Sequence, residues 1–150
     1  MKYYLLILLF ILSACQKESS LDEKYDKALT HKESKEYRES NIILFDILES
    51  PELSEEMQVE VYFLLAQTFY DLKNYRESIK YYKKILDSPL DNEMRKKSLF
   101  MIAYTYFNDL EMYTDSIEYY TIFKLEYPKD ELITAVDFEL EQINNILNKK

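Results

Sequence analysis

Apolar residues recur along this chain with the 3.6-residue period of a buried helix face, and short polar breaks separate the stretches that carry them. The clearest pair lies mid-chain. From Val59 to Leu72 the apolar positions are Val61, Tyr62, Leu65, Ala66, Phe69 and Leu72, all on one side of a helix. Lys73-Asn74 breaks the pattern. Tyr75 to Leu86 then puts Tyr75, Ser78, Ile79, Tyr82, Ile85 and Leu86 on one face. Asp87-Ser88-Pro89 stops it, because proline cannot continue a helix. From Leu21 onward the pattern is helical throughout. The last stretch, Glu131 to Leu147, sets out Leu132, Ala135, Val136, Phe138, Leu140, Ile143 and Leu147.

The pattern also repeats. Tyr37-Arg38-Glu39-Ser40, Tyr75-Arg76-Glu77-Ser78 and Tyr113-Thr114-Asp115-Ser116 follow one another at intervals of 38 residues. Ser50-Pro51 and Ser88-Pro89 keep the same rhythm, and Pro128 comes one residue late. A unit of this size cannot bury its own apolar face, so neighbouring units must stack, and stacked repeats bind more often than they catalyse.

The unit of helix, tight turn, helix and longer turn resembles the tetratricopeptide repeat. The middle unit supplies Tyr62, Leu65, Ala66 and Phe69, then Tyr75, Ser78, Tyr82 and Ile85. The third supplies Leu99, Ile102, Ala103 and Tyr106, then Tyr113, Ser116, Tyr120, Phe123 and Pro128. The first is degenerate: it keeps Ala28, Tyr37, Ser40, Leu44 and Ile47, but Lys24 and Lys27 fall where bulky apolar residues belong. Small residues recur where two helices come closest, and large aromatics fill the spaces between them. There are departures. Lys73 replaces the family's turn glycine, beside Asn74, which tolerates a left-handed backbone. The third unit has one extra residue between Asn108 and Met112. The period exceeds the family's usual value of about 34, so the surplus lies in the turns around Pro51 and Pro89 or in an added helical turn. The resemblance implies an all-α, right-handed superhelical solenoid. Residues 21–128 form about three helix-turn-helix repeats (about 21–52, 53–90 and 91–128), and 129–150 form a C-terminal capping helix.

The first residues read as an address. Met1-Lys2 is a basic start, and Tyr3 to Leu12 is an unbroken apolar run of ten residues. A mature membrane span needs about 20, whereas a signal-peptide core needs about this many. Leu12-Ser13-Ala14-Cys15 resembles the lipobox of bacterial lipoproteins. That implies a signal peptide over 1–14, a lipidated Cys15 carrying acyl chains such as palmitate, and a tether over 15–20. Two or more acyl chains hold a protein stably where one does not. Cys15 is the only cysteine, which leaves no thiol to mispair after export. Gln16 rather than Asp after the lipidated position implies the periplasmic face of the outer membrane. An ordinary secretory signal with a chance cysteine is the alternative.

Charge and composition narrow the chemistry. At 150 residues the chain is one domain, with net charge −9 and pI about 4.7. Such a chain is a poor nucleic-acid ligand, because phosphate contacts need clustered Lys and Arg. It has 15 Tyr and 8 Phe but neither Gly nor Trp. Without glycine there is no phosphate loop, dinucleotide fingerprint or nucleophile elbow. His31, the one histidine, lies in a polar stretch and reads as a solvated side chain. Asp22-Glu23 and Glu55-Glu56 read as solvated faces or first turns of helices, where negative charge is favoured. No Cys/His set suits zinc. No catalytic residue, metal or cofactor is expected.

In tetratricopeptide proteins the first helices of successive units line a concave groove. Carried over by position, the resemblance selects Tyr25 and Leu29, then Phe63, Gln67, Tyr70 and Asp71, then Phe100, Tyr104, Phe107 and Asn108. It implies a protein or peptide lying in an aromatic groove. Asn108 matches one position of the family's terminal-carboxylate clamp, with Lys97 near the start of the same helix, but the other clamp positions are not met. Layout and anchor together are similar to lipoprotein adaptors of outer-membrane β-barrel assembly and to periplasmic coordinators of the Tol–Pal system. The expected function is an envelope-anchored scaffold. Other readings stay open: the aromatics pack on each other or under the cap, the chain self-associates as a homodimer, or it assists a cell-wall or glycan enzyme.

Overall fold

The computed structural model describes residues 20–90 and 93–149. The lipobox, Cys15 and nearly all of the tether lie outside the described residues. Among those described there are seven α-helices and no strand: α1 (Leu21–Glu33), α2 (Tyr37–Leu48), α3 (Glu55–Asp71), α4 (Tyr75–Leu86), α5 (Glu93–Asn108), α6 (Tyr113–Glu126) and α7 (Ile133–Leu147). They pack as α1–α2, α3–α4 and α5–α6 hairpins, stacked in order, with α7 against α6. This is an all-α helical-repeat solenoid. None of these helices is long and apolar enough to cross a membrane.

The recurrent serine has a packing reason. Ser40, Ser78 and Ser116 are fully buried, and each donates its hydroxyl to a carbonyl of the preceding helix, that of Ala28, Ala66 and Ala103, every time at 2.8 Å. The small residue lets the two backbones approach, and the serine supplies a donor where a methyl group would leave none. Such a bond contributes about 1 kcal/mol net.

Helix starts divide into two kinds. Ser20 caps α1 in a full capping box with Glu23, and the Ser54 hydroxyl accepts from Met57 N at 3.1 Å at the head of α3. The second helix of each hairpin has no side-chain cap; Glu36, Asn74 and Met112 enter it with nearly the same backbone angles.

The hairpin turns correct one expectation. Lys35, Lys73 and Glu111 take positive φ, at 62°, 58° and 53°. These positions are again 38 residues apart. In the middle turn the left-handed residue is Lys73 itself; Asn74 sits at φ −88°. Glu36 N donates to His31 O at 2.8 Å and Asn74 N to Phe69 O at 2.9 Å, the six-residue closure of a Schellman motif. The extra residue of the third unit falls in its turn: Met112 N reaches back one residue further, to Tyr106 O at 2.8 Å.

The core runs the length of the stack in two clusters that meet on α5. Ile102 and Tyr106 join the cluster built on Leu44, Leu65, Tyr82 and Ile85. Leu99 and Ala103 join Tyr120, Phe123, Val136 and Ile143. Three apolar positions depart from the expected pattern: Leu72 is the exposed C-cap of α3, and Phe138 and Leu147 stand exposed on α7.

Candidate functional site

A cavity of about 310 Å³ opens where α3 and α5 run side by side. Its walls carry Phe63, Gln67, Tyr70 and Asp71 from α3, with Lys97, Phe100 and Met101 from α5. Lys32 of α1, Tyr82 of α4 and Leu132 just ahead of α7 complete it. The side chains at 63, 67, 70 and 100 are half-buried: they line the cavity, and the aromatic three also touch the second helix of their own hairpin.

The lining is fixed mainly by aromatic edges. Phe63 meets Tyr82 edge-on at 5.7 Å, and Tyr70 meets Tyr75 at 5.4 Å. Phe100 is wedged against Tyr120 at 5.8 Å and Phe123 at 6.2 Å, and Tyr104 stacks on it at 6.2 Å. Lys32 Nζ donates to Gln67 Oε1 at 2.6 Å, tying the first repeat to the second across the wall. Burial, followed by hydrogen bonding and charge from Asp109, pushes the Tyr70 phenol well above its ordinary range, and the neighbouring Tyr104 adds to this. The Tyr82 phenol is raised by burial first and then by Asp71. Both therefore stay neutral donors at any physiological pH. Asp109 carries a buried Oδ2 that has no hydrogen-bond partner among the described residues.

The groove positions named from sequence divide. Phe63, Gln67, Tyr70, Asp71 and Phe100 share the cavity. Tyr104 adjoins it through Phe100 and Tyr70. Phe107 turns to an edge contact with Tyr113 at 6.0 Å, and Asn108 is exposed, donating back to the Tyr104 carbonyl at 3.3 Å. Tyr25 and Leu29 pack against the core cluster of the first two repeats instead. Sequence reasoning did not single out Lys32, Met101 or Leu132 and read Tyr82 as core alone. Lys32 had a signal: it lies one helical step past Tyr25 and Leu29 on the same face.

His31 stands at the surface with Nδ1 2.6 Å from Glu36 Oε2. The cavity lining holds no Ser, Cys or His that could serve as nucleophile or imidazole base. It offers lysines on two sides, one carboxylate and an aromatic floor, which suits holding an extended segment rather than breaking a bond.

Residues 59–92 match one family model of the tetratricopeptide repeat, and residues 97–130 match a second. No curated protein matches the chain. Each matched stretch begins four residues into a helix, at Val59 of α3 and Lys97 of α5. The four-residue excess of the period over the matched unit is thus an added helical turn at the head of α3 and of α5; α1 begins at Leu21, the position equivalent to Val59, and lacks it.

Proposed function

We propose that this protein is an interaction scaffold of the bacterial cell envelope, held by a lipid on Cys15 at the periplasmic face of the outer membrane. It takes a protein or peptide segment in the groove between α3 and α5. The observation that carries this reading is the cavity itself: two adjacent first helices leave half-buried aromatics facing an open concave space, flanked by charge. The leader and the single cysteine support the anchor. Anchoring confines the module to a thin layer and raises its effective concentration for other envelope proteins.

Affinity capture from solubilised envelopes tests the groove, comparing the wild type with Gln67→Ala/Tyr70→Ala. A defined envelope protein retained by the wild type and lost by the variant is the expected result; equal retention moves the site elsewhere. For the anchor, Cys15→Ser is expected to release the protein from membranes, and persistent membrane association would overturn the lipidation reading.

Self-association is the second reading. Leu125, Phe138 and Leu147 are 76%, 58% and 42% exposed at the C-terminal end of the stack, an apolar surface of the kind a second copy would cover. Sedimentation that stays monomeric over a wide concentration range removes it.

A further inference from the structure

The chain carries net charge −9, yet residues 76–84 hold Arg76, Lys80, Lys83 and Lys84 against one carboxylate, Glu77. Helix α4 brings these four cations to one side, since they stand four, seven and eight residues apart. They border a cavity of about 530 Å³ floored by Ile79, Leu110 and Met112, with Asp87 at one end. This cavity shares no lining residue with the groove between α3 and α5.

The cations here are held by rings more than by carboxylates. Lys83 Nζ sits 3.1 Å from the Tyr106 hydroxyl and lies over the rings of Tyr106 and Tyr119 at 5.5 and 5.2 Å. Lys84 Nζ lies 5.0 Å over the Tyr62 ring. Lys80 pairs with Glu77 at 2.9 Å. Among the described residues no carboxylate forms an ion pair with Arg76, Lys83 or Lys84. Acids outnumber bases 28 to 19 in this chain, so cations left without a carboxylate in one groove go against the average.

We infer that this groove is a second docking site, one that takes an acidic segment of a partner protein with apolar residues among its carboxylates. The shape and charge favour that ligand over the other anions. The row from Arg76 to Asp87 is about 16 Å long at 1.5 Å per residue, so a lone phosphate would meet one or two cations and leave the apolar floor wet. A flat anionic membrane cannot reach a recessed floor. A long nucleic-acid chain would extend past the groove onto a surface of its own sign. A short acidic segment satisfies all three: its carboxylates reach the unpaired cations, its apolar side chains cover Ile79, Leu110 and Met112, and its charge ends where the groove ends. The surrounding negative surface repels the same segment elsewhere and so sets where it lands. With both cavities occupied, one molecule bridges two partners.

The test uses the full chain and a fluorescein-labelled peptide of alternating Glu and Leu, followed by fluorescence anisotropy. Saturable binding that weakens with added salt is expected. Arg76→Glu/Lys84→Glu, at two exposed positions, is expected to weaken it roughly tenfold. Lys83→Met keeps the stem against Tyr106 and Tyr119 while removing the charge; it is expected to weaken binding by about threefold or more with the circular dichroism unchanged. Poly-glutamate, which has no apolar residues, should bind more weakly than the Glu-Leu peptide. The proposal is overturned if the peptide does not bind, if both variants bind as the wild type does, if Gln67→Ala/Tyr70→Ala abolishes binding while the charge changes do not, or if phosphatidylglycerol vesicles bind the groove more tightly than the peptide.

Discussion

Replacing Lys73 with glycine is expected to stabilise the protein. Lys73 sits at φ 58° in the turn between α3 and α4, and its side chain is exposed with no ion pair among the described residues. An L-residue with a Cβ costs about 1–2 kcal/mol in the left-handed region, and glycine removes that cost. Glycine also widens the unfolded ensemble, which takes back about 0.4–1 kcal/mol. The net gain is about 0.5–1 kcal/mol. The turn's backbone bonds, Asn74 N to Phe69 O and Lys73 N to Tyr70 O, are untouched by the change. Urea unfolding followed by helical circular dichroism measures it, with Lys73→Ala as the control that keeps Cβ. Glycine should exceed alanine by roughly 1 kcal/mol. Lys35 and Glu111 also take positive φ in the other two turns, so the triple glycine variant should gain about 2 kcal/mol, or roughly 4–8 °C in Tm for a chain of this size. A glycine variant no more stable than its alanine counterpart would refute the reasoning, because it would mean the turn carries no left-handed cost.

The other expectations concern packing and pH. Ser78→Ala removes the buried hydroxyl bond to the Ala66 carbonyl and should cost about 1 kcal/mol in the same assay; an unchanged midpoint would show that this bond contributes nothing. Ala103→Leu forces bulk between α5 and α6 at a fully buried point and should cost about 1–3 kcal/mol, so an unchanged melting temperature would contradict the packing. Burial, then Glu60 and Asp26, pushes the Tyr25 phenol up to about 12, and burial raises those of Tyr82 and Tyr120 as well. A phenol whose folded pKa lies above its unfolded value near 10 stabilises the fold fully below about pH 10, and that stabilisation is lost as pH rises through about 12. Absorbance at 295 nm should therefore leave part of the tyrosine signal untitrated until helicity falls; complete titration near pH 10 with helicity intact would contradict this.

The helices and their repetition were legible because apolar periodicity and the recurring Tyr-Arg-Glu-Ser phrase are local signals. The second helix of the middle repeat begins and ends where its pattern does, at Tyr75 and Leu86. The first helix begins four residues before the expected Val59, at Glu55 behind the Ser54 cap, since a cap and two acidic residues extend a helix without adding to its apolar stripe. The groove was legible in its middle and not at its ends. Phe63, Tyr70 and Phe100 have a neighbouring first helix to face, whereas Tyr25 and Leu29 pack against the core and Phe107 folds onto Tyr113. The basic groove was not read at all. Its cations are local to α4, but the aromatic and apolar surface that gives them a pocket comes from Tyr106, Leu110 and Met112, which only the stacking of repeats brings near.

The added turn explains how this solenoid holds the angle between its hairpins. Each of these hairpins packs through the small residues that also carry the serine bonds, and those contacts lie toward the tight turn, with Ser78 and Ser116 in the first turn of their helices. The four extra residues lengthen the first helix beyond that contact, toward the turn that closes the same unit. In the second unit Glu55 Oε1 accepts from Ser88 Oγ at 3.3 Å. In the third, Lys96 pairs with Asp130 at 2.6 Å, while Arg95 pairs with Glu126 at 3.2 Å and donates to the Leu86 carbonyl at 2.7 Å. Arg95 therefore spans two units, because Leu86 ends the second and Glu126 ends the third. Surface ion pairs of this kind are each weak, about 0–1 kcal/mol, so their effect on global stability is small. Their effect on geometry is larger. A hairpin held near its tight turn by the serine bond and at its open end by these pairs is braced at both ends, which favours a fixed spacing of α3 and α5. A groove that is already formed spares a partner part of the ordering cost of binding, and the longer repeat supplies this in a chain with only two strongly patterned units.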